Sequence, residues 1–239
     1  MQLLAVSRDQ WPDRFTSAPD PAWWLQFDRG RLALLRAGDR EGVSVPVADI
    51  QRRAVRQSEL AKACGLATGG RPTVLDGTGG WGLDALCLAR LGASVTIVER
   101  LPPMWALIRD LLECSGATDV ALHCADLWEW LPRQSQRFDV IYLDPMFAPR
   151  KKSAAPNKRL QYLADLVRAL EPLATAAGNT DPVQETQRWL QQCRQVASKR
   201  IVIKRRRHDP PLAVAPTWQI KGRSVRYDVF DPGQLPATF

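Results

Sequence analysis

The sequence predicts an α/β fold: a mostly parallel sheet covered by helices on both faces, preceded by a small β-rich piece. Three observations predict it. From residue 73 onward, short β-branched runs alternate with amphipathic stretches of helical length, the pattern of βαβ units. The first of those runs ends in an acid and a glycine-rich turn, Asp76-Gly77-Thr78-Gly79-Gly80-Trp81-Gly82. Ahead of them, apolar runs are joined by short turns at Asp28-Arg29-Gly30 and Gly38-Asp39-Arg40, as in a β-meander.

Element by element, residues 24–27, 31–35 and 43–47 read as the strands of that meander. A helix is expected over 58–64, closed by Gly65, and 67–72 as a loop. A buried strand at 73–75 leads to a helix over 84–91 closed by Gly92. A strand at 94–98 precedes an amphipathic helix over 104–114 that ends near Gly116. Strands follow at 120–123 and 138–143, and a helix at about 181–197 precedes the β-branched strand 201–203. Residues 218–220 and 227–230 form a closing hairpin. Residues 1–55 are thus expected as a β-rich appendage and 56–239 as the α/β domain.

Composition narrows the chemistry. The chain has 239 residues, 45% of them hydrophobic and 24% charged, which is ordinary globular material. No window approaches the ~18 consecutive apolar residues of a membrane span. The N-terminus turns charged too early for a secretion signal, whose apolar region needs ~7–15 residues. The expectation is a soluble, cytoplasmic protein with no membrane partner. Five scattered cysteines without a C-x-x-C pair read as reduced thiols, mostly buried, and with only two histidines no metal site is expected. Lys and Arg number 33 against 25 Asp and Glu, a net charge of +8 that favours a polyanionic partner.

Acids mark the ligand edge of the sheet. Gly77, Gly79 and Gly82 fit the dinucleotide pattern G-x-G-x-x-G, and Glu99 follows at the distance an NAD site requires. Two further acids separate the cofactors. Asp76 precedes the first glycine, where it can hold the cationic amino-acid end of S-adenosylmethionine but would repel a pyrophosphate. Asp126, after the third strand of the α/β domain, can accept from an adenine amine. Glu99 can take both ribose hydroxyls with either cofactor. Ligands of doubly wound folds bind at the carboxyl ends of the strands, where all three acids fall.

The fourth strand of the domain runs into Leu143-Asp144-Pro145-Met146-Phe147. This is similar to the (Asp/Asn)-Pro-Pro-(Tyr/Phe) motif of amino-directed methyltransferases, with Met146 in place of the second proline. A base amine is a poor nucleophile, because its lone pair is delocalised into the ring. A carboxylate at Asp144 and a backbone carbonyl accepting its hydrogens return density to nitrogen and aim it. Pro145 stiffens the turn, and Phe147 offers a ring for a splayed base.

With Arg150-Lys151-Lys152-Ser153-Ala154, this turn resembles the ribosomal RNA small subunit methyltransferase J family, which methylates guanine N2. Further matches are Asp76-x-Thr78-x-Gly80-x-Gly82-x-Asp84-Ala85, Glu99-Arg100, Val202-x-Lys204-Arg205, Pro210-Pro211-Leu212-Ala213 and Lys221-Gly222-x-x-x-Arg226-Tyr227-Asp228. The resemblance spans about residues 58–230. It implies a class I S-adenosylmethionine-dependent methyltransferase fold with a Rossmann-like, seven-stranded sheet. It also implies S-adenosylmethionine as donor and a guanosine of small-subunit ribosomal RNA, free or in the 30S subunit, as acceptor. By position it places cofactor contacts at Leu83, Asp84, Glu99, Arg100, Ala125, Asp126 and Asp144, beside the Asp76 and Gly77 read from the loop. The chain departs from the family at Leu83, where arginine is expected, and at Asp126, where serine is usual. Arg56-Gln57-Ser58 stands in place of a glycine-rich stretch, and Ala148 interrupts Phe-Pro.

The RNA contacts are expected from Arg150, Lys151, Lys152, Lys158 and Arg159, on a mobile loop after the turn, and from Arg205 after the strand at 201–203. Trp23, Trp24, Trp105, Trp189 and Trp218 read as core, and Trp81 and Trp128 as packing or as flanks of the adenine. Two other functions fit part of the pattern. An NAD-dependent dehydrogenase shares the glycine loop but has no use for Asp144-Pro145. A non-catalytic RNA-binding or ribosome assembly protein shares the charge but does not need the strand-end acids.

Overall fold

A computed structural model describes residues 14–15, 23–145, 158–170 and 182–236 of the protein. Strands β1 (Arg14–Phe15), β2 (Trp23–Asp28) and β3 (Arg31–Arg36) form an antiparallel sheet of their own. Asp28 pairs with Arg31, so the β2–β3 turn has only Arg29 and Gly30 at its tip. Both have positive φ, 50° and 75°, as the tight hairpin turn that matches strand twist requires.

The third strand expected at 43–47 does not form. Val43 bridges Leu34 through a reciprocal pair of hydrogen bonds (2.9 and 2.8 Å), and pairing then stops. Pro46 has no N–H to offer a ladder, and instead it caps helix α1 (Val47–Arg53). Helix α2 (Glu59–Ala63) begins where Ser58 accepts a hydrogen bond from the Ala61 N–H.

The main sheet is built from β4 (Thr73–Asp76), β5 (Ser94–Glu99), β6 (Val120–Cys124), β7 (Phe138–Leu143), β8 (Ala197–Arg206), β9 (Trp218–Lys221) and β10 (Val225–Phe230). Its order is β6-β5-β4-β7-β8-β10-β9. The first five run parallel, and β10 and β9 close the far side antiparallel. Chain order reverses between β4 and β7, so their carboxyl ends open the crevice where such sheets bind ligands.

Side chains alternate across the sheet with period two. Val74, Val140, Tyr142 and Val202 face a core shared with Ile50 of α1, Leu60 of α2, Leu86 and Leu88 of α3 (Leu83–Arg90), and Ile108 and Leu111 of α4 (Pro102–Ser115). Leu75, Ile141, Leu143, Ile201 and Ile203 face the other layer, where Leu127 of α5 (Leu127–Trp130) meets Leu190 and Cys193. Helix α1 lies inside the residues expected as the appendage, yet through Ile50 it packs with the main sheet's helices.

Two helices, α6 (Lys158–Leu170) and α7 (Pro182–Val196), complete the layers. The stretch around Lys158 and Arg159, expected as mobile loop, is the first turn of α6. Tyr162 and Leu166 are buried there, with Leu163, Val167 and Leu170 beside them, one stripe at helical spacing. That stripe meets Trp23, Leu25, Leu32 and Leu34 of the small sheet and Met104, Trp105 and Leu107 of α4 in a third core. Trp218 departs from expectation: it is 38% exposed, with Arg200 over its ring at 5.6 Å.

The small sheet is fastened to the body through Asp110 of α4, which is fully buried. One oxygen of its carboxylate accepts from the Arg31 side chain (3.0 Å) and from the Leu32 N–H (3.1 Å). At the other edge Arg36 pairs with Asp165 of α6 at 3.0 Å. Removing one member of a buried pair typically costs ~3–5 kcal/mol. Asp110→Ala should therefore lower the unfolding free energy in urea by about 3 kcal/mol, the lower end because Arg31 keeps some solvent. A wild-type unfolding midpoint would mean that Asp110 does not fasten the sheet.

Candidate active site

Strand β4 ends in Asp76, only 2% exposed, and the loop that follows folds back over it. One Asp76 oxygen accepts from the Thr78 N–H at 3.0 Å and from the Thr78 hydroxyl at 3.4 Å. The loop then runs against the sheet so closely that side chains do not fit. A Cβ on Gly77 would stand 2.5 Å from Leu127, and one on Gly79 would stand 2.8 Å from Ile97. Glu99, at the end of β5, holds the far side of the loop. One of its oxygens accepts from the Gly80 N–H (2.6 Å) and the other from the Leu101 N–H (2.8 Å).

Burial acts on both acids. It pushes Asp76 up to about 7 against the Thr78 N–H, with the charges of Asp84, Asp144 and Glu99 adding to the rise. Burial likewise raises Glu99 above the ordinary carboxylate range, although the Leu101 and Gly80 N–H groups oppose it.

Across the crevice, β7 ends at Leu143 and Asp144 begins the turn. The Asp144 N–H donates to the Thr78 hydroxyl at 2.7 Å, which ties this turn to the glycine loop. Its carboxylate, 41% exposed, meets the ammonium of Lys204 at 2.8 Å. The same ammonium contacts Asp84 of α3 at 2.6 Å, so Lys204 bridges two carboxylates. Asp84 also accepts from the Tyr142 hydroxyl (2.7 Å) and meets Arg53 at 3.4 Å.

The charges in this group are strongly biased. Burial opposes the Lys204 charge, but Asp84 and Asp144 more than offset it and hold the ammonium well above its usual range. Burial also opposes the Asp84 charge, and there Lys204 prevails, holding the carboxyl low. At Asp144 burial and the Asp84 charge outweigh Lys204, and the carboxyl sits above its ordinary range.

The edge of the sheet thus brings together Asp76, Gly77, Asp84, Glu99, Asp144 and Pro145. Asp126 and Ala125 continue it beyond β6. The Ala125 N–H donates to the Glu99 carbonyl (3.1 Å), and Asp126 caps α5 by accepting from the Trp128 N–H (2.8 Å). Arg100 is exposed beside Glu99, whereas Leu83 packs into the core under the loop. The Asp84 carboxylate is directed to Lys204, Tyr142 and Arg53. Both tryptophans near the cofactor edge are packed: Trp128 stacks on Trp189 with centroids 6.0 Å apart, and the Trp81 indole N–H donates to the Arg159 carbonyl at 3.0 Å.

Thr78 and Lys204 appear in the sequence only as matches to the family pattern with no role attached, and Tyr142 only as a strand residue. Lys204 carries a readable signal, since it lies two residues beyond Val202 and so faces the layer that holds α3.

The basic residues divide. Phe147, Arg150, Lys151 and Lys152 lie outside the described residues. Arg159 is a correction: its guanidinium reaches Asp49 of α1 at 2.7 Å and the Ser44 carbonyl at 3.2 Å, which occupies it inside the protein. Its hydrogen bond and charge draw Asp49 below the usual carboxylate range despite some burial. Lys158 reaches the Glu41 carbonyl at 3.5 Å and lies over the Tyr162 ring. Arg205 is the second correction. It is buried on the Ile203 face of β8, donates to the Pro210 carbonyl (2.8 Å) and approaches Asp228 at 4.0 Å. Exposed cations at this edge include Arg206 and Arg207, with Lys221 at the end of β9 and Arg223 in the turn to β10, and the Arg207 guanidinium also donates to the Gly222 carbonyl. Buried Arg226 braces that edge by donating to the carbonyls of Arg207, Asp209 and Pro210.

Among the described residues no group of His, Cys, Asp and Glu could hold a metal ion. No described helix is long and apolar enough to cross a membrane.

The chain is similar to known proteins. A family model described as "Putative SAM-dependent methyltransferase" matches residues 13–232. The ribosomal RNA small subunit methyltransferase J of Alkalilimnicola ehrlichii is 35% identical, across 90% of this chain and 85% of that protein. The protein of the same name from Thioalkalivibrio sulfidiphilus is 36% identical, across 91% and 80%. The crystal structure of a SAM-dependent methyltransferase from Neisseria gonorrhoeae superposes with a TM-score of 0.68 at 27% identity, across 92% of this chain and 88% of that one. S-Adenosylmethionine, not NAD, is the cofactor that fits the acids lining this loop. The chain belongs to the S-adenosylmethionine-dependent methyltransferase family of the ribosomal RNA small subunit methyltransferases J.

Proposed function

We propose that this protein methylates the exocyclic N2 amine of a guanosine in small-subunit ribosomal RNA. The observation that carries the reading is the position of Asp144. It stands at the crevice between β4 and β7, one carboxylate oxygen held by Lys204 and the other accepting from no described residue. S-Adenosylmethionine, when bound, supplies a methyl group on a sulfonium. Asp76 would hold its ammonium, Glu99 its ribose hydroxyls and Asp126 its adenine amine.

The protein's share of the chemistry is aim and charge. The second oxygen of Asp144 accepts one hydrogen of the guanine amine, and a carbonyl of the same turn takes the other. The nitrogen lone pair is then directed at the methyl group. Holding two reactants in such alignment can contribute ~7–11 kcal/mol. A strong base is not needed, because the methylated amine is acidic enough to release its proton to water. Arg206, Arg207, Lys221 and Arg223, with the basic residues 150–152, supply cations for the phosphates of free RNA or of the 30S subunit.

Asp76 gives the donor site a pH signature. With its carboxyl raised to about 7, the neutral form prevails below that pH and offers an ammonium little. Affinity for S-adenosylhomocysteine, measured by calorimetry, should rise between pH 6 and 8, with release of less than one proton on binding. Asp76→Asn should bind more weakly at pH 8 and lose the slope. If the variant kept the wild-type slope, Asp76 would not hold the ammonium.

Asp144 tests the chemistry. Loss of a preorganised polar contact to the transition state costs on the order of 10²–10³-fold in turnover. Asp144→Ala should show that loss at saturating donor and RNA while still binding RNA, and Asp144→Asn should be milder. Near wild-type turnover in Asp144→Ala would reduce the turn to a structural feature. RNA binding by a wild-type protein that transfers no methyl group would favour an assembly factor.

A further inference from the structure

We propose that Lys204 is the positioning residue of this reaction, fixing one oxygen of Asp144 so that the group stays an acceptor and its other oxygen serves the substrate amine. The proposal rests on the reading of Asp144 given above. It begins with a lysine in an unusual place: Lys204 follows Ile201, Val202 and Ile203 in a buried central strand, and its side chain is only 16% exposed. A lysine there must find anions or lose its proton. It finds two, Asp144 at 2.8 Å and Asp84 at 2.6 Å.

The chemistry needs an acceptor. A protonated Asp144 would present a hydroxyl to an N–H, and the alignment of the amine would fail. Every other group facing it bears on that balance. Asp84 from α3 and Asp76 from β4 oppose its ionisation by like charge, while Tyr142 of β7 and Tyr227 of β10 are phenols that burial keeps neutral. Arg53 of α1 favours ionisation, but its side chain is half-exposed and it touches Asp84 rather than Asp144. Lys204 is the only cation in contact with Asp144 among the described residues. Asp84 competes for the same ammonium, so the state of Asp144 depends on how Lys204 is shared.

This sharing gives shifts of opposite sign. The test is turnover against pH at saturating S-adenosylmethionine and unmethylated small-subunit ribosomal RNA. In Lys204→Met the acidic limb should move up by about 1–3 pH units, the usual effect of losing an adjacent opposite charge. Turnover at neutral pH then falls about tenfold for each unit and returns at alkaline pH. Lys204→Arg should restore most of the profile. In Asp84→Asn the ammonium belongs to Asp144 alone, and the limb should move down. A Lys204→Met enzyme equally impaired at every pH, or with its limb unmoved, overturns the proposal. Should Lys204→Met fail to fold, Asp84→Asn decides, and a limb that stays or rises overturns it. Near wild-type turnover in Asp144→Ala would instead remove the reading on which this inference stands.

Discussion

Four carboxylates, those of Asp76, Asp84, Glu99 and Asp144, crowd the carboxyl ends of adjacent strands, and the rest of the site is arranged around keeping them there. Two unit charges 4 Å apart repel by ~4 kcal/mol at the effective dielectric of a protein surface, and burial adds to the cost. The fold answers each acid differently. Glu99 takes two backbone N–H groups, Asp76 takes the N–H and hydroxyl of Thr78, and Asp84 and Asp144 share Lys204. These answers interlock, since Thr78 also receives the Asp144 N–H. The half of the crevice that suits the donor and the half that suits the acceptor are thus joined through one hydroxyl.

A second set of ties places the small sheet and α6 beside the glycine loop. Arg31 reaches Asp110, Arg36 reaches Asp165 and Arg159 reaches Asp49, each across a long stretch of chain. Trp81, inside the loop, donates to the carbonyl of Arg159, so α6 is fixed to the loop itself. Arg159 and Lys158 look like part of a nucleic-acid surface because they follow a basic segment. Their partners show that they fasten the start of α6 to residues 41–49.

How much of this could be read from the sequence depended on range. Buried parallel strands are continuous apolar runs, so β4, β5, β7 and β8 announce themselves, and acids at their ends stand out against that background. Ranges were less legible where one residue overrides its neighbours. Pro46 stops a strand that Val43, Val45 and Val47 would otherwise support. Arg205 sits in a basic run, yet it falls on the same face of β8 as Ile203 and points inward. The stripe of α6 was present in Tyr162, Leu163, Leu166, Val167 and Leu170, but the charges at its start drew attention to a loop. The inward face of Lys204 is legible from its spacing to Val202, but its partners are not: they lie 60 and 120 positions away, and nothing local marks them.

The core between the small sheet, α4 and α6 also sets an order of events in biosynthesis. Trp23, Leu25, Leu32 and Leu34 are made early, but the residues that cover them include Tyr162 and Leu166. The tie between Arg36 and Asp165 spans 129 positions. At 5–20 residues per second, the hairpin therefore waits about 6–26 s for its last partners to be synthesised. During that interval its apolar face lacks the cover that α6 provides. The hairpin, translated ahead of the main sheet, is among the last pieces to be enclosed.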